Sequence, residues 1–165
     1  MKKLILLVLL LAPLSLFAQK FGHFNSEDIV KIMPEFEKTK LDIQTLQKQY
    51  EDDLKRVQDE FNKKQDEYAK QRDSLPDNIK ERREQELQGL YTRMQQSAQD
   101  NQQALEKAYR EKMAAISTKV ITAVKAIGET GSYIYIMDTS AGIPYISKTL
   151  STDITPQIKS KLGLK

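Results

Sequence analysis

The stretch LDIQTLQKQYEDDLKRVQDEF, Leu41 to Phe61, and the stretch LQGLYTRMQQSAQDNQQALEKAYREKMAAI, Leu87 to Ile116, decide the fold between them. The first carries an apolar stripe of Ile43, Leu46, Tyr50, Leu54, Val57 and Phe61. The second carries Leu87, Leu90, Met94, Ala98, Leu105, Tyr109, Met113 and Ile116, and the stripe continues through Val120, Val124 and Ile127. Steps of three and four residues put each stripe on one face of an α-helix. In an antiparallel pair, residues at one level have position numbers with a constant sum, because each step from the turn on one arm is matched on the other. Phe61 with Leu90, Val57 with Met94, Leu54 with Ala98, Leu46 with Leu105 and Ile43 with Tyr109 all sum to 151 or 152. The two helices are therefore expected to form one long antiparallel hairpin.

The hairpin arm is expected over about 34–127, with its tip at 73–78, where Ser74 can cap and Pro76 can open the return helix. Gly128 is read as the stop of that helix. With the gap from Ala98 to Leu105 counted as two steps, the return stripe from Leu87 to Ile127 averages about 3.64 residues per step, nearer an eleven-residue repeat than a heptad, so a nearly straight arm is expected. Toward the tip the seam turns polar, with Lys64 facing Leu87 and Tyr68 falling near Arg83.

A small body flanks the arm, from 20–33 and about 115–165. Phe21-Gly22-His23-Phe24 alternates as a strand, and Asn25 with Asp28 offers a cap for a short helix. Tyr133 to Met137 is rich in strand formers, Ser140-Ala141-Gly142 turns, and Ile143 to Ile146 is expected to return as a second strand, on an edge because of Pro144. Thr155-Pro156 opens a last short helix. The fold class is thus α+β and mainly helical. A body of about 60 residues buries too little surface to be comfortable alone, which points to assembly of several copies. Phe24, Ile134, Ile136 and Ile143 are the candidate residues for it.

Residues 1–18 have the parts of a cleaved signal peptide: Lys2-Lys3, an apolar run from Leu4 to Leu11, and a cleavage site after Leu16-Phe17-Ala18. The run is broken by Pro13 and is shorter than the roughly 20 residues of a membrane span. The mature chain, 19–165, is expected to have no transmembrane segment, although work close to a membrane surface is compatible with it. The full chain carries 26 basic and 23 acidic residues, and loss of the two leader lysines brings its charge from +3 to +1. Such a balance argues against nucleic acid as a partner. With no cysteine there is neither disulfide nor thiolate chemistry.

No pattern here calls for catalysis, a metal or a cofactor. His23 is the one histidine and sits in a strand pattern, and phosphate loops and nucleophile elbows are absent. The charged residues of the arm interleave in sign, as on a solvated helix face. A two-helix seam leaves part of its apolar surface accessible, so Phe61, Tyr68, Leu87, Tyr91 and Met94 are the candidates for contact with a partner chain, Met94 being polarizable and adaptable.

Three motifs in order around the hairpin resemble the Skp family of periplasmic chaperones, also called OmpH-like proteins. They are the opening strand into Phe24-Asn25-Ser26, the segment Thr118 to Lys125 followed by the strand Ile134 to Asp138, and Asp153-Ile154-Thr155 before the last helix. The resemblance implies a homotrimer in the periplasm whose helical arms enclose a cavity. There it would hold unfolded outer-membrane proteins without ATP and prevent their aggregation. The well-known members are strongly basic and this mature chain is near neutral, so apolar contacts are expected to carry more of the affinity. The competing reading is a structural or adaptor coiled-coil hairpin of the cell envelope that docks on one specific partner.

Overall fold

The computed structural model describes residues 19–165, and the expected signal segment lies outside the described residues. In order the chain forms β1 (Lys20–Phe24), α1 (Ser26–Lys31), α2 (Pro34–Gln71), α3 (Asp77–Gly131), β2 (Tyr133–Asp138), β3 (Ser151–Asp153) and α4 (Thr155–Lys161). It divides into two compact units, one from the residues up to Ile32 together with Thr118–Lys165, the other Met33–Ser117. Among the described residues no helix is long and apolar enough to cross a membrane.

The second unit is the antiparallel hairpin of α2 and the first part of α3. Pro34 is pre-organised for the first turn of α2, which then runs 38 residues without glycine or further proline. At the tip Arg72–Ser74 tightens to a 3-10 turn, and the Ser74 hydroxyl donates to the Gln71 carbonyl rather than capping α3. The Pro76 carbonyl accepts from the Ile79 and Lys80 amides, so Pro76 stands just ahead of the helix it was expected to open.

The half-buried positions trace the seam. On α2 these are Ile43, Leu46, Tyr50, Leu54, Val57, Phe61, Lys64 and Tyr68, and on α3 they are Leu87, Leu90, Met94, Ser97, Asn101, Leu105 and Ala108. Every α2 position from Ile43 to Lys64 has an α3 counterpart whose number sums with it to 151. The expected register holds, with two corrections. Ala98 and Tyr109 are exposed, and Ser97 and Ala108 take their places opposite Leu54 and Ile43. With Ala104 also half-buried, the α3 seam steps alternately by three and four residues from Leu87 to Ala108, a heptad period in place of the longer one expected. Cross-helix contacts fix the pairing. The Phe61 and Tyr91 rings lie 6.4 Å apart, Lys112 donates to Asp42 at 2.7 Å, Lys64 to Glu86 and the Tyr68 hydroxyl to Glu84.

In the first unit a three-stranded parallel sheet of order β2-β1-β3 forms around β1. Phe24, Ile29, Val120, Ala123, Ile154 and Ile158 are its buried apolar residues. Asn25 caps α1, its side chain accepting from the Glu27 and Asp28 amides. The Asp138 carboxylate ties β2 to α1, accepting from the Ser26 amide at 3.1 Å and the Ser140 amide at 3.0 Å. Burial pushes that carboxyl up, but the combined hydrogen bonds from Ser26 and Ser140 leave it below the usual carboxylate range.

Three local expectations are corrected in this unit. Gly128 does not stop α3, which continues to Gly131. A side chain there would meet the Ile136 Cδ1 at 3.3 Å, so the glycine serves close packing of strand on helix. Ile143 to Ile146 form no strand, and the third strand is the polar Ser151–Asp153. Pro144 has no N–H to offer a ladder, and the Ser147 hydroxyl folds the next residues by accepting from the Thr149 and Leu150 amides. At α4 Thr155 is the first helical residue and not the cap, a position taken by Ile154, and the Thr155 amide donates to the Asp153 carboxylate at 2.9 Å.

Two predictions follow from the hairpin. Cysteines replacing Leu54 and Ser97 will cross-link under mild oxidation, whereas Leu54 with Leu87, ten residues or about 15 Å further along α3, will not. A reversed result in a gel-shift assay would overturn the register. The second concerns Glu86, whose carboxyl is held below its ordinary range by the hydrogen bond and charge of Lys64. A depressed folded value stabilises above the unfolded pKa of about 4.3 and is lost as pH falls through the folded value. Thermal melts should show the natural chain more stable than Glu86→Gln at pH 7, with the gap closing below about pH 4. A gap unchanged at low pH would show that the pair contributes nothing.

Candidate functional site

The sequence-predicted contact residues converge near the outer end of the hairpin. Phe61 from α2 and Leu87 and Tyr91 from α3 line one cleft of about 250 Å³, with Gln65, Glu84 and Gln88 completing its walls. Helical spacing explains the grouping, since Leu87 and Tyr91 are one turn apart and Phe61 faces them across the seam. The two rings meet at 47°, a tilted contact that leaves part of each face open. The Tyr91 hydroxyl accepts from the Gln95 amide at 3.0 Å.

Tyr68 is not in the cleft wall. It joins it through Glu84, to which its hydroxyl donates, and that bond raises the Tyr68 pKa. Met94 lies one turn further from the tip, half-buried at the level of Val57. The result is a small apolar recess rimmed by side chains that both donate and accept hydrogen bonds. Of the basic residues nearby, Lys80 pairs with Asp77 and Arg83 with Glu86, each at 3.2 Å.

The first unit offers a second surface. One side of its sheet carries Phe21 and Tyr135 with rings stacked at 6.4 Å, beside a recess of about 210 Å³ that includes Met137, Tyr145 and Leu150. Tyr135 is 65% exposed, Met137 54%, Tyr145 79% and Leu150 76%. Of the residues expected to serve assembly, Phe24 is only 6% exposed and belongs to the core of its own chain, while Ile136 packs near Gly22 and Gly128. Ile134 is half exposed, and Ile143 lines a neighbouring cleft with Tyr145 and Ile146. The exposed set was missed because both faces of Tyr133–Met137 are apolar, and alternation alone cannot say which one turns inward.

Nothing in these surfaces has the geometry of an active centre. His23 Nδ1 lies 2.8 Å from the Ser151 hydroxyl, a strand-to-strand hydrogen bond. Among the described residues no group of three or more His, Cys, Asp or Glu could hold a metal ion.

A chain that combines a hairpin of two long helices with a small parallel sheet has known relatives. No curated protein sequence matches the chain. A crystal structure described as that of an OmpH-like outer membrane chaperone from Caulobacter crescentus CB15 superposes with a TM-score of 0.74 at 14% identity, over 87% of this chain and 83% of that one. At that identity the likeness establishes a shared fold. The model of the outer membrane protein (OmpH-like) family matches residues 20–162, essentially the whole described chain, and with the fold it places this protein in the OmpH-like family.

Proposed function

We propose that the protein is an ATP-independent periplasmic holdase, a homotrimer that binds unfolded outer-membrane proteins between its helical arms and keeps them from aggregating. The observation that carries this reading is the hairpin seam, whose apolar residues are nearly all half-buried and gather at the outer cleft around Phe61, Leu87 and Tyr91. A surface of this kind suits weak contacts with many sequences. Several such contacts on neighbouring arms raise the effective concentration of binding groups around a client without any one being tight. Release needs no nucleotide, because a folding partner that buries the client's apolar surface more fully competes it away.

Assembly is supported by the open sheet face. Contiguous exposed apolar side chains of this size mark interaction sites, and a second copy of the chain would cover Tyr135, Met137, Tyr145 and Leu150. Cleavage after Ala18 would deliver the chain to the compartment where unfolded outer-membrane proteins are in transit.

The deciding experiment is suppression of aggregation when a urea-denatured outer-membrane barrel is diluted into buffer containing the mature protein and no nucleotide. Light scattering should fall with protein added, and no effect at a several-fold excess would overturn the holdase reading. With a mature net charge of +1, attraction for a client is weak and screened beyond about 8 Å at physiological salt. Activity should therefore persist at about 0.5 M salt, where apolar contact is not weakened. Replacing Tyr68, Tyr91 and Met94 by Ser should reduce it more than replacing Lys80, Arg82 and Arg83 by Gln. The reverse order, with helicity retained, would make binding electrostatic.

Mass by light scattering should be that of a trimer for the mature chain. Tyr135→Asp with Met137→Asp should shift it to smaller species. An unchanged trimer would move the interface away from this sheet face.

A further inference from the structure

A second cleft, of about 420 Å³, opens in the middle of the hairpin, where the seam changes character. Above and below it the facing levels are apolar, Leu46 with Leu105 and Val57 with Met94. Between them Leu54 faces Ser97 and Tyr50 faces Asn101, both polar residues at seam positions of a heptad run. The short serine leaves room, and the cleft occupies it.

Its chemistry is mixed in a specific way. Tyr50, Arg93, Ser97 and Asn101 all line it, and the side chains of these four have no hydrogen-bond or ion-pair partner among the described residues. Leu54 and Val57 supply an apolar wall. Two carboxylates, Asp53 and Glu60, and two guanidiniums, Arg93 and the Asp53-paired Arg56, also border the cleft, so its charges balance and favour neither an anion nor a cation. A neutral occupant that both donates and accepts hydrogen bonds and carries an apolar group fits the set.

We infer that this mid-arm cleft is a subsite for an extended segment of unfolded polypeptide, which lays an apolar side chain on Leu54 and Val57 and offers its backbone to Ser97, Asn101 and Arg93. An unfolded chain carries one free N–H and one free C=O per residue, whereas a folded one has already paired them. The Asn101 amide can serve both groups at once, and the Arg93 guanidinium and the Ser97 hydroxyl can donate to the carbonyl. The cleft thus recognises the state of a chain and not its sequence, which apolar contact at the outer cleft cannot do alone. Polar residues in a helix seam cost stability relative to leucine, and here that cost leaves an accessible donor set. This inference rests on the holdase reading and goes beyond it by naming what is gripped.

The test fills the cleft. In the full mature protein, Ser97→Leu with Asn101→Leu restores an apolar heptad seam, and Gln99→Leu with Gln103→Leu makes two polar-to-leucine changes at exposed positions of α3 as a control. Affinity for a fluorescently labelled, urea-denatured outer-membrane barrel is measured by anisotropy, with melting temperature alongside. The seam variant should melt higher and bind about tenfold more weakly, the loss of two hydrogen bonds of roughly 0.5 to 1 kcal/mol each, while the control binds as the natural chain does. In a second measurement a photo-reactive benzoylphenylalanine at Tyr50 should give client adducts, and one at the exposed Leu41 should give few. Undiminished binding by the seam variant, or equal adducts at both positions, would overturn the subsite while leaving the holdase reading intact. Failure of the natural chain to bind the barrel at all would overturn both.

Discussion

Two helices lying side by side have a single seam and no third layer to close over it, and the behaviour of the hairpin follows from that. In a layered domain an apolar stripe disappears from solvent. Here nearly every seam residue of α2 from Ile43 to Tyr68 is only half-buried. The same side chains therefore hold the hairpin together and remain within reach of another chain. Strengthening one role weakens the other, since a seam packed tightly enough to hide Phe61 or Leu54 would have nothing left to present.

The charged groups do a different task. Ion pairs within a helix, such as Lys31 with Glu27 and Lys55 with Asp59, lie on exposed faces where solvent and salt screen them. The pairs that cross the seam, Lys112 with Asp42 and Lys64 with Glu86, contribute register more than strength. They flank the apolar levels, and a slip of one helix along the other would break both contacts. Near the tip, where apolar area per level is smallest, Lys64, Glu86, Tyr68 and Glu84 take over the cross-helix contacts.

The hairpin was legible because its signal is redundant: many residues at two helical periods agree on one register. The polar seam residues were legible in principle. Once Val57 with Met94 and Phe61 with Leu90 fix the sum at 151, Leu54 and Tyr50 point to Ser97 and Asn101. The rule of following apolar residues chose Ala98 instead, one position round the helix. The body was harder because its decisive contacts are not periodic. Ser151–Asp153 is too short and polar to look like a strand and becomes one only because β1 has a free edge beside it. Gly128 carries the local signature of a helix stop, and only the presence of Ile136 against it reveals a packing role. Of the five residues expected to contact a partner chain, Phe61, Leu87 and Tyr91 share the outer cleft, because Leu87 and Tyr91 lie one turn apart on α3 and Phe61 faces Leu90 between them. The open sheet face was not legible, since choosing between two apolar faces of β2 requires knowing where α3 and α4 pack.

The parallel sheet has a further consequence for the order in which the molecule comes into being. Its central strand is the first of the described elements and its two neighbours are among the last, so the His23 to Ser151 hydrogen bond closes a loop of 128 residues. The hairpin, by contrast, joins residues around one tight turn. Contacts distant in sequence form slowly because chain entropy must be lost before they return anything. During synthesis β1 is made before either neighbour and waits, with both edges unpaired, until every residue of α2 and α3 has been added. The hairpin can therefore form before the sheet does, and for that interval β1 is an unpaired strand open at both edges.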